Sequence, residues 1–250
     1  MKKLLVFLSI TVVLSCDTED APNCFQAAGT IVQRDFTMGK FTKITIEDDF
    51  QLLLRQGAEY SVIVESGENL FPDIAVTLEG DRMRFINNNR CNLFRDYNIT
   101  KAIVTAPNIE EIRNSSAASV VSEGVLNYPN LLLISNTTAG VEDPKKVGDF
   151  ILHLNCDALS VAANGQSAFY LSGSAAGANI GFLDEMPFFD GTNLQIGDLN
   201  IFQRSANKMI VNPQQSIRVK IYGTGDVVAL NQPPIVEVEE FFTGRLLFQD

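Results

Sequence analysis

No tryptophan occurs among the 250 residues, and histidine occurs once, at His153. The first absence removes the ring best suited to stacking, so a sugar-binding role would fall to Tyr60, Tyr97, Tyr128, Tyr170 or Tyr222. The second leaves any Ser-His-Asp triad resting wholly on His153, and no Gly-x-Ser-x-Gly elbow is present to supply its nucleophile. His153 lies between Leu152 and Leu154, which makes it a strand position, at the surface or satisfied as a polar group. Cysteine is also scarce, at positions 16, 24, 91 and 156, with no C-x-x-C spacing to suggest zinc or dithiol chemistry. No acidic group has the spacing of an EF-hand or a calcium repeat, so no metal and no cofactor are expected. Apart from the pairs Lys2-Lys3 and Lys145-Lys146, Lys and Arg are scattered singly through a chain of formal net charge −11, which excludes a nucleic-acid groove and a polybasic membrane patch.

Long apolar runs are missing too. The longest, Leu4 to Leu14, follows Lys2 and Lys3 and is well short of the roughly 20 residues a helix needs to cross a bilayer. It has the layout of an export signal, and Val13-Leu14-Ser15-Cys16 resembles the lipobox of bacterial lipoproteins, in which the cysteine becomes the acylated N-terminus. Residues 1–15 are therefore expected to be removed, Cys16 to carry lipid, and residues 16–23 to form an acidic tether. Asp17, Glu19 and Asp20 resemble the acidic signals that send lipoproteins of Bacteroidetes-type bacteria to the cell exterior, though a solvated tether would look the same. The expected location is the bacterial outer membrane, with surface display or a periplasmic face both open. Export places the other thiols in an oxidising compartment, where Cys24 and Cys91 are the favoured bridge and Cys156, within an apolar stretch, reads as a buried free thiol.

What is abundant is alternation. From residue 28 onward nearly every segment repeats with period two, the signature of half-buried strands. Phe50, Leu52 and Leu54 share one face of a strand, and Gly80-Asp81 joins two alternating runs as a hairpin. Ile99 to Thr105 forms a strand that stops at Pro107. Residues 24–108 read as an N-terminal β lobe. From 109 to 250 short apolar runs are separated by small and amide corners: Asn114 to Ala118, Asn136 to Gly140, Asn164 to Ala168, Ser172 to Gly177 and Gly223 to Gly225. Spacings of roughly 20 to 28 residues between comparable corners, as from Asn114 to Asn136 and on to Asn164, are those of a coiled β stack, in which each rung buries its face only against its neighbours. A sandwich with small-residue turns would give a similar texture.

Three stretches carry a family resemblance: Phe41-Thr-Lys-Ile-Thr-Ile46 through Phe50 to Gly57, then Ile103-Val-Thr-Ala-Pro-Asn-Ile-Glu-Glu-Ile112, and finally Ile221-Tyr-Gly-Thr-Gly-Asp-Val-Val228. They are similar to the putative auto-transporter adhesin head domain family, or GIN domain, over nearly the whole mature chain. The resemblance implies an all-β, right-handed β-helix-like solenoid of short strands and a role in adhesion, with no ligand named. It departs at Asn114-Ser115-Ser116 and Thr137-Thr138-Ala139, where the family's corners are glycine-rich.

One loop stands out for function. Asp184, Glu185 and Asp190 surround Met186-Pro-Phe-Phe189, the best carboxylate set for a polysaccharide-acting enzyme. Glycosidase carboxylates face each other across a bond at about 5 to 10 Å, whereas these share one loop, so a solvated turn is the simpler reading. Phe182, Phe188 and Phe189 would make the same loop an interaction surface if exposed. The expectation is thus a non-enzymatic, lipid-anchored envelope protein offering a surface for adhesion or assembly. Its expected partners are the membrane, through the lipid, an unidentified protein or glycan, and a second copy through an open stack end.

Overall fold

The computed structural model describes residues 24–89, 91–93, 95–137 and 144–249. The expected signal peptide (1–15), the lipidated Cys16 and the tether (16–23) lie outside the described residues. In chain order the strands are β1 (Ile31–Asp35), β2 (Lys43–Asp48), β3 (Gln51–Gln56), β4 (Ser61–Gly67), β5 (Ile74–Glu79), β6 (Arg82–Asn87), β7 (Lys101–Ala106), β8 (Glu111–Ser116), β9 (Val120–Leu126) and β10 (Asn130–Ser135). Four long strands follow, β11 (Phe150–Ala163), β12 (Ala168–Phe182), β13 (Phe188–Gln203) and β14 (Met209–Ile221), and then β15 (Val227–Ala229), β16 (Ile235–Glu240) and β17 (Leu246–Phe248). A short 3-10 segment, Glu68–Asp73, is the one helical element among the described residues.

These strands build two ladders back to back. Ladder A runs β1, β4, β7, β3, β9, the first halves of β11 to β14, β15 and β17. Ladder B runs β5, β6, β2, β8, β10, the second halves of β11 to β14, and β16. All pairings are parallel except β1 with β4, β4 with β7, and β5 with β6. Parallel stacking decides for the β-helix-like coil over the sandwich, because a sandwich is made of antiparallel sheets. From β11 on, paired residues are 17 to 21 positions apart, as in Phe150 with Phe169 or Gln195 with Asn212. The preceding coil is longer, with Leu131 opposite Leu159, because more residues separate β10 from β11 than separate the later long strands.

Alternation explains which side each residue takes. In β14 Met209, Val211, Ile217, Val219 and Ile221 are buried, and Arg218 and Lys220 between them are exposed. Inward rows from both ladders merge into a core that runs from Phe41 to Ala229. Phe150 stacks on Phe169 at 4.7 Å, so successive coils place ring over ring, and Phe169 meets Phe182 of its own coil at 5.9 Å. Each such side chain contributes about 1.5–3 kcal/mol by leaving water. Ladder B sets β2 beside β8, and ladder A sets β3 beside β9, so strands from 24–108 and from 109–250 share both ladders and the core.

Two corner readings differ from the structure. Ser172 to Gly177 is not a turn but the middle of β12, where the strand bends from ladder A to ladder B. Small residues are needed there for a different reason, since the register slips between Tyr170 and Ser172 and Gly173 takes a φ of +105°. Asn114 to Ser116 is likewise the end of β8, and the Asn114 side chain closes the following corner by donating to the Ala118 carbonyl at 3.0 Å. At the other end, Cys24 and Cys91 form a disulfide that ties the start of the described chain to the segment after β6. Across β1, β4 and β7, Glu65 accepts from Gln33 at 2.8 Å and pairs with Lys101 at 3.0 Å. These bonds hold its carboxyl below the usual carboxylate range.

Candidate functional site

In a parallel ladder, paired residues point to the same side, so an inward row has an outward row beside it. On ladder B the inward row Leu159, Ala178, Leu199, Ile217 is flanked by an outward row Ser160, Asn179, Asn200, Arg218, Glu237. Two residues further along each strand is a second outward row: Ala162, Gly181, Phe202, Lys220, Glu239. The small side chains of Ser160, Ala162 and Gly181 leave a hollow between Leu132 on β10 and Phe202 on β13. The result is an open trough of about 840 Å³ on the outer side of ladder B.

Its electrostatics are internally balanced. Arg218 Nε donates to Glu237 at 3.2 Å, and Lys220 pairs with Glu239 at 3.0 Å, which raises the lysine's pKa. Asn200 Nδ2 donates to Asn179 Oδ1 at 3.1 Å, forming an amide pair on the floor. Phe202 lines the trough and begins a row of rings, 5.2 Å from Tyr222, which in turn stacks on Phe241 at 4.3 Å with planes 7° apart. These rings are exposed by 36%, 40% and 54%, so the row is a surface feature and not core.

Toward the N-terminal end the same outer side is closed by polar groups. Arg84 pairs with Glu47 at 2.6 Å and Arg82 with Glu111 at 2.8 Å. The buried Arg113 guanidinium donates to the backbone and side-chain oxygens of Asn136, and its burial lowers its pKa. A buried guanidinium supplied with acceptors in this way fastens β8 to the chain leaving β10.

The loop singled out in the sequence is built differently from the expectation. Phe182 and Phe189 are 0% exposed, and Phe188 is half-buried against Tyr170 at 6.0 Å, so they form no aromatic interaction surface. The physical reason is that Phe182 ends β12 and Phe189 belongs to β13, so both rings point inward from strands. Asp184 and Glu185 do lie on the exposed turn between those strands, beside Arg204 and Tyr222 in a shallow recess of about 360 Å³, but Asp190 does not line it. Each carboxylate already has a local partner. Asp184 accepts from the Glu185 amide, Glu185 pairs with Lys146, and Asp190 accepts from the Thr192 amide and hydroxyl.

His153 is exposed on β11, and its backbone N–H donates to Ser122 Oγ at 2.9 Å. The Cys156 thiol is buried at the bend of β11, and burial, helped by Asp157, pushes its pKa up to about 11. Such a thiol is protonated at neutral pH and unreactive. Among the described residues no three His, Cys, Asp or Glu side chains converge as metal ligands.

Sequence reading missed the trough because its parts are 18 to 21 residues apart in the chain, as Ser160, Asn179, Asn200 and Arg218 are. The signal existed in the coil period. Aligning the strands at that spacing puts these residues in one column. Of the ring row, Tyr222 alone is among the tyrosines that the sequence offers for stacking.

A family profile described as "Putative auto-transporter adhesin, head GIN domain" matches residues 40–233. No curated protein matches the chain. Among solved structures, a putative adhesin from Bacteroides fragilis NCTC 9343 superposes with a TM-score of 0.78 at 18% identity, covering 89% of this chain and 99% of the other. A putative adhesin from Parabacteroides merdae ATCC 43184 gives 0.62 at 14% identity, over 89% and 97%. A putative lipid binding protein from Parabacteroides distasonis ATCC 8503 gives 0.55 at 16% identity, over 89% and 98%. At these identities the likeness is one of fold. The profile match extends from just before β2 to just before β16, taking in most of both ladders and the trough apart from its β16 side, and the chain therefore belongs to the auto-transporter adhesin head, or GIN, domain family.

Proposed function

We propose that this chain is a non-enzymatic cell-envelope protein, anchored by lipid on Cys16, whose β stack displays the outer side of ladder B for adhesion. The observation that carries this reading is the trough, a concave surface on a floor of parallel strands that are pinned from beneath by the core. Strands backed by a packed core make a rigid platform, and a rigid platform loses little entropy when it binds. The carboxylates that could have served hydrolysis are engaged in turn contacts, and the family description names adhesion. Among the described residues no helix is long and apolar enough to cross a membrane, and in this reading the anchor is the lipid on Cys16.

Protease shaving of intact cells, comparing the native protein with Cys16→Ala, tests the reading. Display predicts that the native chain is membrane-bound and cleaved from outside, and that Cys16→Ala is released from the membrane fraction. A chain protected in intact cells would overturn surface adhesion. Turnover of a polysaccharide panel that disappears in Asp184→Asn, Glu185→Gln or Asp190→Asn would overturn the non-enzymatic part. A second reading, acyl-chain binding in the same trough, is favoured by its apolar members Leu132, Ala162 and Phe202 and by one structural relative being described as lipid binding.

A further inference from the structure

Every side chain on the trough floor from Leu132 to Phe202 is uncharged, and the cations at its far end are already paired with Glu237 and Glu239. An anionic ligand would have to displace those carboxylates on a chain of net charge −11. A cationic ligand would meet Arg218 and Lys220. The site offers a match to a neutral molecule.

What remains is the balance of polar and apolar groups. The Asn179 and Asn200 side chains spend one donor and one acceptor on each other, and the rest of their hydrogen-bonding capacity faces the trough. Whichever way the two amides are oriented, the pair keeps both donors and acceptors for a ligand. A hydroxyl is both donor and acceptor, so a row of hydroxyls satisfies this pair, while an acyl chain laid over it would strip water from the amides and return nothing. Beside the amides, Phe202 starts the exposed ring row of Tyr222 and Phe241, the flat apolar surface on which the C–H face of a sugar ring rests. Strands stand about 4.8 Å apart, so β11 to β14 provide a floor of about 14 Å, enough for a short chain of sugar rings.

Resting on the reading of this trough as the adhesive surface, we propose that its ligand is a neutral oligosaccharide lying across β11 to β14, hydrogen-bonded by Asn179 and Asn200 and stacked on Phe202. Gly181 provides a clean way to block it. A Cβ at that position would have only the Val161 carbonyl within reach, at 3.8 Å, so the backbone accepts a larger residue whose side chain fills the hollow.

The test uses the processed chain with Cys16→Ser, which keeps every described residue. It is titrated calorimetrically with neutral hexasaccharides of glucose, mannose, galactose and N-acetylglucosamine, and separately with dodecanoate. At least one hexasaccharide should bind, and Gly181→Leu should weaken it tenfold or more without changing the melting temperature. The paired variant Asn179→Ala with Asn200→Ala, at exposed positions, should do the same and serves if Gly181→Leu fails to fold. Three results would each overturn the proposal: no hexasaccharide binds, binding survives both variants, or dodecanoate binds in place of the sugars and is blocked by Gly181→Leu. None of these bears on surface display, which the shaving experiment tests separately.

Discussion

Gly225 leaves no room for a side chain: an added Cβ would lie 1.9 Å from the Asn207 carbonyl oxygen and 2.8 Å from Gln203 Nε2. The Gly223-Thr-Gly225 corner reads in the sequence as a turn, but the residues are glycine because one turn layer presses on the next, with the Gly225 amide donating to the Ser205 carbonyl at 3.1 Å. Gly225→Ala should therefore destabilise the fold by about 3 kcal/mol, as overpacking of a tight site does. Urea unfolding would register this as a lower midpoint at unchanged slope, whereas the open position Gly181 tolerates replacement. The phenylalanines near Pro187 teach the reverse lesson. Their neighbours Asp184, Glu185 and Pro187 gave that stretch the composition of a loop, yet Phe182 and Phe189 end up wholly buried. Local composition reports chain neighbours, and burial is set by the coils above and below.

At the level of elements, the β5–β6 hairpin was legible because its turn chemistry is local: Gly80 adopts a φ of +64°, as the Gly-Asp pair suggested. The length of β11 to β14 was not, because small residues mark bends within strands as readily as turns between them. The Cys24–Cys91 disulfide closes a loop over a sequence separation of 67 and holds the segment leading into β1 against the stretch after β6. Loop-closure entropy puts its contribution at about 4 kcal/mol. Cys24→Ser or Cys91→Ser should lower the unfolding midpoint by a corresponding amount, and reducing agent should shift the native protein toward the same value while leaving Cys91→Ser unmoved. Native Cys156, protonated and buried, is not expected to substitute as a partner.

For the whole molecule, stability is passed between neighbouring coils, so it should fall toward the ends of the stack. β12 and β13 have strands on both sides along both ladders, while among the described residues β16 pairs only with β14 and β17 only with β15. Every residue of β16 is exposed, including Val236 and Val238 of the inward row. Hydrogen exchange followed by mass spectrometry should show β16 and β17 exchanging first and β12 and β13 last. Uniform exchange across all coils would mean that the stack opens only as a unit.

The strand content, the coiled texture and the spread of charge followed from the sequence alone, because period-two alternation, corner residues and net charge are properties of short stretches or of simple sums, and the family followed from the resemblance of three short stretches. Which residues stand together followed only from tertiary structure. Asn179 and Asn200, or Phe202, Tyr222 and Phe241, become neighbours through the register between coils, and register depends on how the whole core packs. A trough made of one residue from each coil has no counterpart along the chain, and it comes into being when the ladders close over their shared interior.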